Sequence, residues 1–299
     1  MATPTQLGFR FAPTDRLHPE RVRRIHALTA TTAPAAAEHA FAYATAHHYL
    51  EGAEAAARAG DRDLFAWYTA HPDAGAHALA APTAVGQCVV IAPEQLITSP
   101  ISDTAYYLLN PHTGPAPAGH QELARAAYTL ADDTGFGDLL AGHARVLVFL
   151  GRKGYNDTFD SWTISRLPGT VFVDHIDDPA ALARDLIHEA GHNWLNDALA
   201  ATGCKLDDQA LFHSPWKRTP RPAYGFLHAC WAFPLTMIYT ARVLERTEGA
   251  GRRFLTSYLD LQRTFLAGTG PDHARALTLV PDPDLREHLR AVHQQAIGL

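Results

Sequence analysis

The stretch Asp177-Asp178-Pro179-Ala180-Ala181-Leu182-Ala183-Arg184-Asp185-Leu186-Ile187-His188-Glu189-Ala190-Gly191-His192-Asn193 decides how this chain is read. An acidic cap followed by proline in the first turn opens a helix. This helix is expected to reach residue 201, with Gly203 placed to end it. His188 and His192 are four residues apart, so they share one helix face with Cβ atoms about 5–6 Å apart. Two imidazoles at that spacing can converge on one metal at about 2.0–2.1 Å per bond. Glu189 stands beside the first histidine and can point toward metal-bound water. Leu182, Leu186 and Leu195 are expected to bury the surrounding helix. A site poor in water strengthens the electrostatic effect of a metal.

Working outward, 145–150 is a continuous apolar run and 170–173 a second one, introduced by Pro168-Gly169; both read as buried strands near the motif helix. Upstream, 85–92 reads as a strand stopped by Pro93, and 110–119, rich in Pro and Gly, as a loop. Helices are expected over 19–30, 34–59, a short segment capped by Asp61 and closed at His71-Pro72, and 121–131. Downstream, a polar loop to about residue 223 precedes helices over 224–248, 252–266 and 284–296. The expected fold is mainly α with a small β-sheet (α+β), the motif helix packed near short strands, and not a cupin-type barrel. A boundary near 140 separates a helical N-terminal region, 1–140, from a metal-binding catalytic region, 141–299, unless the two form one continuous domain.

With 299 residues, 47% hydrophobic and 19% charged, the chain is long and apolar enough to bury a sizeable core. A formal net charge of -6 with scattered arginines leaves no electrostatic footprint for nucleic acid. Cys88, Cys204 and Cys230 are far apart and odd in number, which argues against a disulfide framework and for small core residues. No signal peptide or membrane span is legible, so a cytoplasmic protein is expected. The adjacent pair His47-His48 points to different helix faces and reads as structural.

A catalytic metal site usually takes three protein ligands and keeps a position open. The metzincin extension is absent, since Leu195 and Ala198 occupy its Gly and His positions. Glu245 and Glu248 are downstream carboxylates that a gluzincin-like site could use, although nothing around them matches that class. His228 is another choice of third ligand. It follows the proline-rich segment Ser214-Pro215-Trp216-Lys217-Arg218-Thr219-Pro220-Arg221-Pro222, a stiff loop that could bring an aromatic and two arginines toward the motif helix. Arginine is the natural fork for a ligand carboxylate. Trp216 and Trp231 could line a substrate pocket or belong to the core.

These residues resemble a family of His-Glu-x-x-His proteins of ribosomally synthesised, post-translationally modified peptide biosynthesis, described as iron(II)- and 2-oxoglutarate-dependent peptide β-hydroxylases. The likeness runs over about 165–240. It rests on Pro168-Gly169, Leu186 to Asn193, Ser214-Pro215-Trp216, Arg221-Pro222, Gly225-Phe226-Leu227-His228 and Phe233. Lys217 stands where the family commonly has Arg and Thr219 where it commonly has Asp; a lysine keeps the charge but loses the bidentate fork. The N-terminal half has no match. The resemblance implies His188, His192 and His228 around Fe2+, with Glu189 as a less favourably rotated alternative. It also implies 2-oxoglutarate held by Arg221, then Arg218, near Ser214, and a peptide or amino-acid substrate hydroxylated by O2 at a side-chain β-carbon. Two competing readings stand beside it: a zinc peptidase (Zn2+) with Glu189 as general base, and a non-catalytic, metal-stabilised peptide-binding protein.

Overall fold

Three strands in the middle of the chain explain how it packs. Val146-Leu147-Val148-Phe149 alternates between the two faces of a sheet: Leu147 and Phe149 enter one core, Val146 and Val148 the other. A strand covered on both faces needs apolar residues at every position, which is why this segment reads as an unbroken hydrophobic run.

The computed structural model describes residues 7–29, 39–70, 74–99 and 102–299. In chain order these form α1 (Ala12–Leu28), α2 (His39–Ala59), α3 (Arg62–Ala70), α4 (Ala74–Leu79), β1 (Ala80–Thr83), β2 (Gly86–Ile91), β3 (Ile97–Ser99) and β4 (Ser102–Tyr106). Next come α5 (Ala118–Asp133), α6 (Gly137–His143), β5 (Val146–Arg152), β6 (Ser161–Trp162), β7 (Thr170–His175) and α7 (Pro179–Ala201). The chain ends with β8 (Leu211–Ser214), β9 (Thr219–Pro222), α8 (Ala223–Val243), α9 (Gly249–Leu266), α10 (Gly270–Leu277) and α11 (Pro283–Ile297). Among the described residues the protein is mainly helical, with a sheet ordered β1-β2-β5-β7-β6, two hairpins, and no closed barrel. Strands β2, β5 and β7 are parallel, and β1 and β6 pair antiparallel at the edges. No helix among the described residues is long and apolar enough to cross a membrane.

The larger core lies between one sheet face and α5 to α8, and takes in Leu186, Ile187 and Ala190 of α7. The smaller core covers the other face with Phe41, Ala44 and Tyr49 of α2 and Tyr68 of α3. The sheet crosses residue 140, because β2 lies before it and pairs with β5 after it. The expected cap of α7 forms as read: Asp178 Oδ1 accepts from the backbone N–H of Ala180 at 2.8 Å and of Ala181 at 3.3 Å. Gly203 follows the helix with φ 65°.

Several local expectations need correction. The first helix starts at Ala12, seven residues before Pro19, and carries that proline inside it. Pro13 already fills the first turn, and burial of Thr14 and His18 holds the extra turns in place. The start expected at residue 34 lies outside the described residues, as do His71-Pro72. The polar loop before α8 contains the hairpin β8–β9, with Phe212 packed in the core beneath it. Its prolines, Pro220 and Pro222, hid the strand; they are tolerated because β9 is an edge strand. Helix α8 stops at Val243, and a 3-10 turn, Leu244–Arg246, replaces the last expected turn.

Candidate metal centre and its cavity

Helices α7 and α8 approach closely at Gly191, where a Cβ would stand 3.0 Å from Leu235 Cδ1. Trp231 Nε1 donates to the carbonyl of Gly191 at 3.0 Å, and its ring stacks on Trp194. Trp231 is therefore core. This contact sets the second turn of α8 beside the second histidine of the motif, and His228 meets His192.

The three histidines share the wall of a cavity of about 710 Å³. His188 Nε2 and His192 Nε2 lie 3.1 Å apart. Two ligands of one metal with bonds near 2.0–2.1 Å are separated by about 2.9–3.4 Å, so the pair forms a coordination edge without adjustment. His228 approaches the other side of the His192 ring, Nδ1 to Nδ1 at 2.9 Å, and its Nε2 is buried without a protein partner. The two contacts use opposite nitrogens of the His192 ring, so the three imidazoles stand in a row rather than around one point. Burial holds all three imidazoles neutral: His188 and His228 are pushed well below the usual histidine range, and His192 to about 4. A metal requires neutral imidazoles. The donor set fits a divalent transition metal held at His188 and His192, with His228 as the adjacent nitrogen still unmet.

Glu189 is buried in the same wall and accepts a hydrogen bond from Ser161 Oγ at 2.7 Å. Burial pushes its carboxyl up to about 8, against the opposing effect of that hydrogen bond. It is the one carboxylate among the described residues of the wall. Glu245 and Glu248 are exposed past the end of α8 and take no part in the cavity.

Arg221 projects from β9 into the wall and rests on Gly225, where a Cβ would meet its guanidinium at 2.9 Å. Any side chain at 225 would displace it. Its guanidinium has no hydrogen bond or ion pair with another described residue. Ser214 is buried and lines the cavity, and Lys217 stands at its edge. Arg218 does not join them: it occupies the exposed hairpin turn with φ 53° and lies outside the wall. Trp216 stacks on Phe233 at 4.8 Å, which in turn packs on His188, and the indole Nε1 donates to Gln262 Oε1 at 2.7 Å.

Sequence reasoning missed Ser161, Gln262 and the buried group His18, His143 and Asp197 behind α7. Each depends on a distant segment, and nothing local to Ser161 or Gln262 marks them. Of the other early expectations, Cys88 and Cys230 are buried free thiols. His48 is core, its Nε2 2.9 Å from Thr170 Oγ1. Comparison with known protein families finds no match, and comparison with curated proteins finds no relative.

Proposed function

We propose that this chain is an iron(II)- and 2-oxoglutarate-dependent dioxygenase that hydroxylates a side-chain β-carbon of a peptide or amino-acid substrate in natural-product biosynthesis. The observation that carries the reading is Arg221, whose guanidinium has no partner among the described residues and lies in the same wall as His188, His192 and His228. A cationic fork with no partner among the described residues, next to a metal-ready histidine edge, suits a metal-chelating dicarboxylate.

His188 and His192 would hold Fe2+, and His228 would join as third ligand by turning from the Nδ1 side of the His192 ring, where it now lies, toward that edge. When bound, iron couples reduction of O2 and oxidative decarboxylation of 2-oxoglutarate to insertion of oxygen into a C–H bond. Arg221 would hold the distal carboxylate of the co-substrate, which its planar fork suits, and the Ser214 hydroxyl in the same wall would supply a further donor. Gly225 keeps the guanidinium against the helix and so limits the orientations it can take. The stacked rings of Trp216 and Phe233 form a dry flank next to His188, which keeps water from competing there. Ser161 Oγ orients Glu189 by donating to its Oε1, while burial favours the protonated carboxyl.

Glu189 carries a second reading, a zinc peptidase, because it lies one residue from His188 in the same wall. One experiment separates the two. The protein is loaded anaerobically with Fe2+, then given O2 and 2-oxoglutarate, and succinate is measured. Succinate from wild type, lost on Arg221→Ala at low co-substrate, supports the dioxygenase. No succinate, with peptide cleavage under Zn2+ that Glu189→Gln abolishes, assigns the peptidase.

A further inference from the structure

Asp197 lies nine residues after His188 on α7, and nine steps of 100° place it about 180° around the helix, on the face away from the cavity. There it meets His18 of α1 and His143 at the end of α6. His18 Nε2 is 2.9 Å and His143 Nδ1 3.2 Å from the same carboxylate oxygen, Asp197 Oδ2. All three side chains are more than nine-tenths buried, and their three ligand atoms lie within 4.8 Å of one another.

Hydrogen bonding accounts for part of this group and fails at one atom. His18 Nε2 makes a good bond to Asp197, and Tyr43 Oη donates to the other carboxylate oxygen at 2.8 Å. His143 Nδ1 is within ion-pair distance of Oδ2 but has no hydrogen-bond partner in acceptable geometry. A fully buried ring nitrogen is thus aimed into the group and left unmet, which is costly unless something occupies the space. Two edges of 2.9 and 3.2 Å fall in the range of about 2.9–3.4 Å expected between ligands of one metal with bonds near 2.0–2.1 Å.

We propose that His18, His143 and Asp197 form a second metal site, structural in role, for a divalent transition ion of the Zn2+ class. Two imidazoles and a carboxylate, with no thiolate, suit Zn2+ or its first-row neighbours and not Cu(I) or Ca2+. Asp197 binds through Oδ2, and Tyr43 keeps Oδ1 oriented. Arg21 in turn donates to Tyr43 Oη at 2.8 Å, and the His18 ring stacks on Tyr43 with centroids 4.0 Å apart, so both ligands are held in place by their neighbours. His143 is held neutral by burial. Burial would raise the Asp197 carboxyl, but its contacts with His18 and His143 hold it below the ordinary carboxylate range, so it stays anionic. None of the three ligands lines the catalytic cavity. The ion would join α1 and α6 to the back of the helix whose front carries His188 and His192. This inference does not depend on the dioxygenase reading.

The test counts metal in a protein whose cavity site is removed. The double variant His188→Ala/His192→Ala is purified and its metal measured by elemental analysis. Its thermal unfolding is followed with and without a strong zinc chelator, and with Co2+ added while visible absorption is recorded. The expected result is near-stoichiometric retained metal, a melting temperature lowered by the chelator, and a Co2+ ligand-field spectrum. Asp197→Asn and His143→Gln in that background lose the metal, the spectrum and the chelator sensitivity. Tyr43→Phe keeps the site but weakens it by about 10–100-fold. Should Asp197→Asn fail to fold, His143→Gln and Tyr43→Phe carry the measurement. A double variant that holds no metal, shows no Co2+ spectrum and melts identically with and without chelator overturns the proposal and leaves the group as a hydrogen-bonded bracket.

Discussion

On the cavity side of α7, His188 and His192 present adjacent nitrogens 3.1 Å apart, and among the described residues His228 has an unmet buried nitrogen and Arg221 no partner. On the opposite side, Asp197 takes bonds on both oxygens, Tyr43 links it to Arg21, and Asn193 Nδ2 donates to the carbonyls of His143 and Thr170. One helix therefore carries two histidine-rich groups with different tasks. Polar groups that open into a cavity without partners are poised for a ligand. Polar groups sealed among neighbouring elements fix the position of the helix that bears them. Emptying the front should therefore cost little stability, and emptying the back much more.

The largest expected break in that contrast comes from the cavity histidines. His188→Ala or His192→Ala should abolish iron binding at the front and all succinate formation, with little change in unfolding midpoint. Anaerobic iron analysis and the succinate assay check this, and wild-type iron content in either variant would contradict it.

Asp197→Ala should do the reverse in kind. Removing the buried carboxylate leaves His18 and Tyr43 without their acceptor and costs about 3–5 kcal/mol. Urea unfolding measures it; a loss below about 1 kcal/mol would mean the back of α7 does not brace the helix.

Next in size is Arg221→Ala, which on the dioxygenase proposal would remove a charge-assisted contact of about 1.5–3 kcal/mol and should raise the 2-oxoglutarate requirement by about one to two orders of magnitude. Iron content should not change. Arg221→Lys should recover only part, since an ammonium cannot form the two-bond fork. Identical saturation curves for all three proteins would take Arg221 out of the site.

The sealed side also predicts a pH response. Burial lowers His48 to about 3 from an ordinary value of 6.5. The unfolded chain then binds the proton more tightly, so this contribution is complete above pH 6.5 and is lost as the pH falls through the window toward 3, by about 1.4 kcal/mol per unit. Stability curves of wild type and His48→Asn between pH 7 and 4 test this; the variant should show the shallower fall, and parallel curves would refute the assignment.

The local chemistry of α7 was legible without coordinates. Asp178-Pro179 caps it, Gly203 follows its end, and the four-residue spacing of His188 and His192 places both rings on one face, because neighbours in sequence alone determine these geometries. The apolar runs that became β5 and β7 were legible for a related reason: burial on both faces leaves its mark at every residue. The limits are equally physical. Pro19 reads as a helix start when judged by its own backbone, yet burial of His18 and Thr14 extends α1 past it. Pro220 and Pro222 hide a strand that exists only because β8 pairs with it. Arg218 and Lys217 are neighbours with similar charge, and the turn geometry alone sends Lys217 to the cavity edge and Arg218 to the exposed turn. Ser161 finds Glu189 across 28 residues, and His18 finds Asp197 across 179. Contacts of that kind have no periodicity or spacing to betray them. They arise when separate elements are brought together by apolar burial, and only then does a histidine, a carboxylate or an arginine acquire the neighbours that decide what it does.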